Sequence, residues 1–506
     1  MLMNAIEKKV NERKSFTENG ALAYETAGKA ILDFNFALAG YRGEEVDTIM
    51  KDFAKVFYSE GAEAAIRYLF YVGDIREGAG ERKAFRAGLR WLAKNQPEMC
   101  KAVIPLVAEY NRFDSLLPLL DTELRKDVTE YLRGVITDDY AKMERNELIS
   151  LCAKWCPSEN ASSPKTKRYA KILIEDFGIT ARQYRKMLSE LRKYLDVVEV
   201  KMSAKRWGEI NYEGVPSKAN LIYNPAFLRN DEERRRTYLE SLKKGETKIN
   251  AGVLQPPEIV ASYFDNNDYW REHLGAYNET LEQLWKNLPA KTVDNVLVIR
   301  DGSGSMRSVI SGKTTCLDVA TALSIYMSER NTGEWKDKFI TFSSHPEVVN
   351  LSKCKALRDK IDYCSKFNDW SNTNLYATMR LILDAAVENR IPQEDMPGAI
   401  CCLSDMQWDG TGFNFNKTLF EEISYEYEEA GYKLPRLIFW NINDRGQKTI
   451  PLQQNEYGLI LCSGFSVQIM DMFLSGKIDP YEILMETVNS ERYQVVGNAV
   501  RDIFRG

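Results

Sequence analysis

Past Pro289 the hydrophobic rhythm of the chain changes, and no other feature restricts the fold as much. Short apolar runs at Val296–Ile299, Phe339–Phe342, Ala399–Leu403, Leu437–Ile442 and Leu459–Leu461 alternate with longer segments at Thr315–Arg330, Asn374–Asn389 and Leu419–Ala430. The short runs have the character of strands buried on both faces, and the longer segments carry the spacing of helices. Such alternation predicts a mostly parallel sheet covered on both sides, with ligands bound beyond the carboxyl ends of the strands.

Before Pro289 the pattern is helical throughout. Ala62, Ala65, Ile66, Leu69 and Val72, then Phe85, Leu89 and Leu92, recur at three- and four-residue spacing. The same rhythm runs from Ala21 to about Leu191, broken at Gly40–Glu44, Gly73–Gly80, Asn95–Glu98, Asn111–Asp114 and Pro157–Pro164. Helix pairs with short connections predict a HEAT-like α-solenoid or ring. Val197–Met202 is expected to be extended and Asn211–Pro216 to be a loop. The run after Arg229 is expected to be a helix ended by Gly245, with Arg234–Arg236 on a solvated face paired to Asp231–Glu233. The double proline of Gln255–Val260 is expected to interrupt any helix before Glu258. The resulting division is a helical region over residues 1–290 and an α/β domain over 291–506.

A chain of 506 residues, 44% hydrophobic and 28% charged, has the composition of a soluble globular protein of more than one domain. Its apolar runs fall short of the ~20 residues a membrane helix needs, so no membrane association is expected. Nine cysteines without any CxxC pair predict reduced thiols and a cytoplasmic location. Cys152 and Cys156 stand one helical turn apart, but only His273 and His345 could complete a soft metal site, and the pair is read as small buried hydrophobes. Two histidines, neither beside a nucleophile, argue against Ser–His or Cys–His chemistry, and the chain is expected not to be an enzyme. The net charge of −5 is unevenly spread: residues 151–250 hold 21 Lys and Arg against 13 Asp and Glu, whereas residues 291–506 hold 23 against 29. The middle of the chain is therefore the place for a polyanion.

The sequence VLVIRDGSGSM places Asp301, Ser303 and Ser305 directly after the first apolar run of the C-terminal region. One carboxylate and two hydroxyls at alternate positions of a turn can face one centre, and oxygen-only ligation suits a hard cation. Thr373, just before a helical segment, and Asp405, at the end of the Ala399–Leu403 run, supply further oxygens from two other loops.

In order and context these three elements resemble the metal-ion-dependent adhesion site of von Willebrand factor A domains. The resemblance implies that Ser303, Ser305 and Thr373 ligate Mg2+, or Mn2+ or Ca2+, directly or through water, with Asp301 and Asp405 supplying charge. It also implies an open coordination position that accepts a partner's carboxylate. Arg300 before Asp301, and SDM where TDG is common, depart from the familiar loops.

Segments spread over nearly the whole chain, among them DIREGAGERKAFR from Asp74, EYNRFDSLL from Glu109, AKWCPS from Ala153, VVEVKMSAKRWGEINYEGVPS from Val197, FWNIND from Phe439 and CSGFS from Cys462, resemble a family that joins a helical region to a metal-site domain. That architecture is in turn similar to the Ro autoantigen, or TROVE, proteins, in which a ring of HEAT-like helices is closed by a von Willebrand A domain. The resemblance implies binding of small noncoding RNAs or single-stranded RNA ends. The candidate RNA-binding residues are Arg76, Arg82, Lys83 and Arg86 around the Gly78–Gly80 loop, then Lys165, Lys167, Arg168, Lys201, Lys205 and Arg206, with Trp207 as a stacking platform. No strand precedes that loop and no GK[ST] follows it, so it is not read as a nucleotide cradle. The leading expectation is a Ro-like, non-catalytic RNA-binding protein. The alternative is a protein-interaction scaffold that docks an acidic partner on the metal without RNA.

Overall fold

A computed structural model of the chain describes residues 14–16, 22–265, 268, 270–343, 345–368, 374–406, 419–443, 459–470, 479–501 and 503. It contains a helical N-terminal region and a C-terminal region built on a mixed sheet. Two compact units divide it: Met1–Glu45 with Leu254–Thr487, and Val46–Val253 with Val488–Gly506. The division expected at residue 290 falls inside the first unit.

The first unit is organised by six strands, β1 (Val296–Asp301), β2 (Lys338–Phe342), β3 (Val348–Asn350), β4 (Ala399–Ser404), β5 (Arg436–Asn441) and β6 (Leu459–Ser463). Their spatial order is β3-β2-β1-β4-β5-β6, parallel except for β3, which runs antiparallel to β2. Each expected apolar run falls on one of the parallel strands, with Ile442 alone beyond the end of β5, and every residue of β1 and β4 is buried. Burial on both faces is why these strands read as unbroken apolar runs. β3 was not anticipated: its exposed–buried–exposed pattern over three residues gives too weak a signal.

Helix Cys316–Arg330 follows β1 and packs against it, buried from Cys316 to Ser328. Its start is fixed by reciprocal bonds, the Thr315 hydroxyl accepting from Asp318 N at 3.2 Å and the Asp318 carboxylate accepting from Thr315 N at 2.8 Å. The strand order reverses direction at β1: the chain leaves β1 for β2 and β3 on one side and then crosses to β4 on the other. That reversal leaves a crevice beyond the carboxyl ends of β1 and β4.

Three expectations need correction. The segment from Ala21 to Glu45 does not begin the helical region. Leu22–Tyr24 pairs antiparallel with Lys14–Phe16, and helix Ala30–Phe36 lies at the carboxyl ends of β5 and β6. There Asn441 Nδ2 donates to Phe36 O at 3.0 Å, and Ala39 N donates to Ser463 Oγ at 3.0 Å. Local periodicity was right about the helix and silent about a partner some four hundred residues away. The double proline does not interrupt a helix but opens one, Pro256–Val260, because its missing N–H groups fall where no intrahelical partner exists. Val197–Met202 is not extended: Val198–Ser203 is helical, and Lys201 Nζ ties it locally to Asp196 at 2.7 Å and to Glu209 O at 2.8 Å.

The second unit is helical. Ala62–Gly73 packs on Arg82–Asn95 and on the C-terminal helix Glu491–Arg501. The turn between the first two is tight because Gly78 sits against the Tyr71 carbonyl, where a Cβ would collide. Asp74, fully buried, accepts from Arg76 N at 2.9 Å, from Arg492 Nη2 at 3.0 Å and from Tyr493 Oη at 3.1 Å. The Gly78–Gly80 loop thus shapes a hub for the C-terminal helix. Among the described residues no helix is long and apolar enough to cross a membrane.

Candidate metal centre

Asp301 ends β1 and is fully buried. The register pairs Arg300 with Leu403, so Asp301 comes beside Ser404 at the end of β4, with Asp405 one residue beyond. Ser404 Oγ donates to Asp301 Oδ2 at 2.6 Å, and Ser303 N donates to Oδ1 at 2.9 Å. Burial pushes the Asp301 carboxyl up, against the opposing effect of these bonds. No Lys or Arg forms an ion pair with Asp301 among the described residues. A second carboxylate, Asp405, is 1% exposed.

The turn after β1 brings two hydroxyls to the same place. Ser303 precedes a short 3₁₀ turn, Gly304–Arg307, and its Oγ lies 2.9 Å from Ser305 Oγ. Ser303 is 5% exposed, whereas Ser305 is half-buried at the rim. Thr373 lies outside the described residues; Asn374, which follows it, caps helix Leu375–Asn389 by accepting from Ala377 N at 2.8 Å.

The donors fit a hard divalent cation. Two buried carboxylates at adjoining strand ends carry negative charge that is costly in a low-dielectric interior, and hydroxyl oxygens complete a set of oxygens only. Among the described residues there is no group of three or more His, Cys, Asp or Glu able to hold a metal. All nine cysteines are free thiols; Cys152 and Cys156 place their sulfurs 3.9 Å apart in the interior of the helical unit.

Arg300, the departure noted in the loop sequence, turns away from this centre. It is fully buried and donates through Nη1 to Thr321 Oγ1 at 3.1 Å. Nη2 donates to Cys364 O at 3.3 Å, to Phe367 O at 3.0 Å and to Asn368 Oδ1 at 3.0 Å. Burial lowers its pKa. Arg300 thereby fixes the chain up to Asn368, five positions ahead of Thr373. Neither this role nor that of Ser404 was foreseen; a serine directly before Asp405 was the one available signal.

A family model described as Domain of unknown function (DUF7788) matches residues 295–500. A second, Domain of unknown function (DUF2828), matches residues 164–295. The two matches meet at Asn295, where β1 is about to start. The chain is also similar to the Uncharacterized protein L728 of Acanthamoeba polyphaga mimivirus, with 28% identity over 95% of this chain and 90% of that protein.

The candidate RNA-binding residues lie in the helical unit and most are engaged there. Arg86 pairs with Asp114 at 3.0 Å, Arg168 with Asp121 at 2.7 Å, Lys201 with Asp196 at 2.7 Å and Arg206 with Glu209 at 2.9 Å. Arg76 donates to the Glu109 carbonyl, while Arg82 and Lys83 occupy the first turn of helix Arg82–Asn95. Lys165, Lys167 and Lys205 are exposed and form no ion pair among the described residues. Trp207 is half-buried, and its carbonyl accepts from Arg234 Nη1 at 3.0 Å. Arg234 and Arg236 pair with Asp231 and Glu232, each at 2.8 Å, but Arg235 departs from the expected solvated face. It is fully buried among Tyr212, Phe227 and Tyr238, with Nη1 on Asn220 Oδ1 at 3.1 Å.

Proposed function

We propose that the α/β unit is a von Willebrand factor A-type domain that binds one Mg2+ at its strand ends and that the chain is a non-catalytic docking protein. The observation carrying this reading is the convergence of Ser303 Oγ and Ser305 Oγ, 2.9 Å apart, beside a buried Asp301 fixed by Ser404 from the neighbouring strand. Asp301, Ser303, Ser305 and Asp405 would hold the ion, with Thr373 from a third loop. When bound, the ion supplies an electrophilic position for an outside carboxylate. The chain's own part is to keep the carboxylates buried and the hydroxyls pointed together.

Burial pushes the thiols of Cys100, Cys364, Cys402 and Cys462 away from the nucleophilic thiolate form, which argues against thiol chemistry at those four positions. Calorimetric titration of the full chain with MgCl2 and MnCl2 tests the site. One ion per chain is expected, lost in D301A and in S303A; unchanged binding in both variants overturns the reading.

A second reading, RNA bound on a HEAT-like helical unit as in Ro proteins, is favoured by the exposed Lys165, Lys167 and Lys205. Gel shifts with a structured RNA bearing a single-stranded tail check it. Binding that a K165E/K167E/K205E variant loses supports RNA, and absence of binding at low salt removes it.

A further inference from the structure

Two of the buried cysteines end on backbone carbonyls, Cys100 Sγ donating to Leu89 O at 3.6 Å and Cys462 Sγ to Phe439 O at 3.7 Å. That is the arrangement of a thiol used only for packing. Cys152 and Cys156 are set differently, with their sulfurs facing each other at 3.9 Å across the single helical turn Cys152–Trp155. Cys156 N donates to Cys152 O at 2.9 Å, so one α-helical bond spans the pair. Cα atoms at that spacing lie about 6 Å apart, inside the range a disulfide bridges.

The backbone carrying both thiols is clamped from two neighbouring helices. Asp139, on helix Arg125–Glu144, accepts from Ser150 N at 2.8 Å and Ser150 Oγ at 2.7 Å, and Ser150 Oγ accepts in turn from Cys152 N at 3.1 Å. On helix Ala181–Tyr194, Arg192 donates through Nε to Ala153 O and through Nη2 to Cys156 O, both at 2.8 Å. Tyr184 of the same helix donates to Pro157 O at 2.9 Å. With the main chain held on both sides the sulfurs cannot drift apart, and rotation about the side-chain bonds closes the gap to the ~2.05 Å of an S–S bond.

A small reagent reaches the pair by opening one helical turn. Cys152 is fully buried and Cys156 is 5% exposed, but the chain leading into the turn lies at the surface, with Leu148 95% and Leu151 50% exposed. A single turn so placed opens at small cost. Contact with Cys156, together with burial, pushes the Cys152 thiol up, which leaves Cys156 as the sulfur that reacts first.

We propose that Cys152 and Cys156 form a reversible oxidation site, a dithiol that hydrogen peroxide converts to an intrachain disulfide. The Cys156 thiolate attacks one peroxide oxygen, the O–O bond breaks, and the departing hydroxide becomes water with the proton that Cys156 gave up. The Cys152 sulfur then attacks the sulfenic sulfur of Cys156; the S–S bond forms, the S–O bond breaks, and the hydroxide leaves as a second water with the Cys152 proton. Two electrons pass from the sulfurs to the peroxide. Trp155, next to Cys156, lies under the Arg112 guanidinium at 3.9 Å, and Arg112 Nε donates to Asp114 at 2.9 Å. The bridge therefore forms beside an indole able to report it.

The full chain treated with hydrogen peroxide and then alkylated with N-ethylmaleimide tests the site by mass spectrometry. Two of the nine alkylatable thiols should be lost and the mass before alkylation should fall by about 2 Da, with the peptides holding Cys152 and Cys156 joined until dithiothreitol separates them. Tryptophan fluorescence should fall in step, because a disulfide quenches a neighbouring indole, and W155F should remove most of that change. C152S should trap Cys156 as a sulfenic acid that dimedone captures, while C156S leaves Cys152 unreacted. A chain that keeps all nine thiols until urea unfolds it overturns the proposal. So does a disulfide between any other two cysteines, or a wild-type Cys156 that proceeds to sulfinic acid with Cys152 still free. These three outcomes are read on the wild-type chain and do not depend on any variant folding.

Discussion

Ser404 Oγ donates to Asp301 Oδ2 at 2.6 Å, joining the ends of two strands that are neighbours where the sheet changes direction. The bond gives a buried carboxylate a partner of fixed geometry. A hydroxyl so placed orients a carboxylate for a cation.

S404A should therefore weaken metal binding without abolishing it. A hydroxyl that orients a metal-bound carboxylate contributes about 10- to 100-fold to affinity, and that loss is expected here for Mg2+ and Mn2+ in calorimetric titration. Circular dichroism of the variant should match the wild type. Wild-type affinity in S404A would show that the bond orients nothing.

Arg300 makes a second prediction. Its guanidinium holds the carbonyls of Cys364 and Phe367 and the side chain of Asn368, so R300A leaves these acceptors in a cavity. A cost of about 3–5 kcal/mol in chemical denaturation is expected. R300K should recover little of it, because an ammonium lacks the planar fork that reaches several acceptors at once. Recovery by lysine would indicate that charge, not geometry, is what the site needs.

The parallel strands were legible because burial on both faces writes itself into consecutive apolar residues, and the DxSxS turn because its oxygens are local in sequence. Asp405 was legible as an acid ending such a run. The partners of these residues were not: Ser404 meets Asp301 only through strand register, and Arg300 reaches Cys364 and Phe367 only in the fold. The basic residues illustrate the same limit. Arg86 and Arg168 look available in a list of cations, yet their acids, Asp114 and Asp121, come from other elements. Arg235 sits between two surface arginines in sequence and points the opposite way, because its position on the helix faces Tyr212 and Phe227.

Asp74 and Arg492 lie 418 positions apart and form the buried hub of the helical unit. R492A leaves the fully buried Asp74 carboxylate short of its guanidinium, which should cost about 3–5 kcal/mol. D74N/R492A should cost less than the sum of the single variants, because no stranded charge remains. Additive losses in urea denaturation would mean that the pair is not energetically coupled.

The Asp114 carboxyl gives the helical unit a defined acid sensitivity. Burial alone would raise its pKa, but the bonds from Arg112 and the charge of Arg86 outweigh burial and hold it below the ordinary carboxylate value. Because the folded pKa is the lower one, the unfolded chain takes up the proton first as pH falls. The contribution is therefore complete above the unfolded value of about 3.9 and is lost as pH drops through the folded value. D114N should remove this part of the pH dependence and cost about 1–3 kcal/mol at neutral pH. R86A should shift the acid transition the same way, since it removes one of the two cations that depress the carboxyl. Denaturation midpoints measured from neutral pH downward check both variants. If R86A keeps the wild-type pH profile and instead lowers RNA affinity, Arg86 belongs to a binding surface and not to this ion pair.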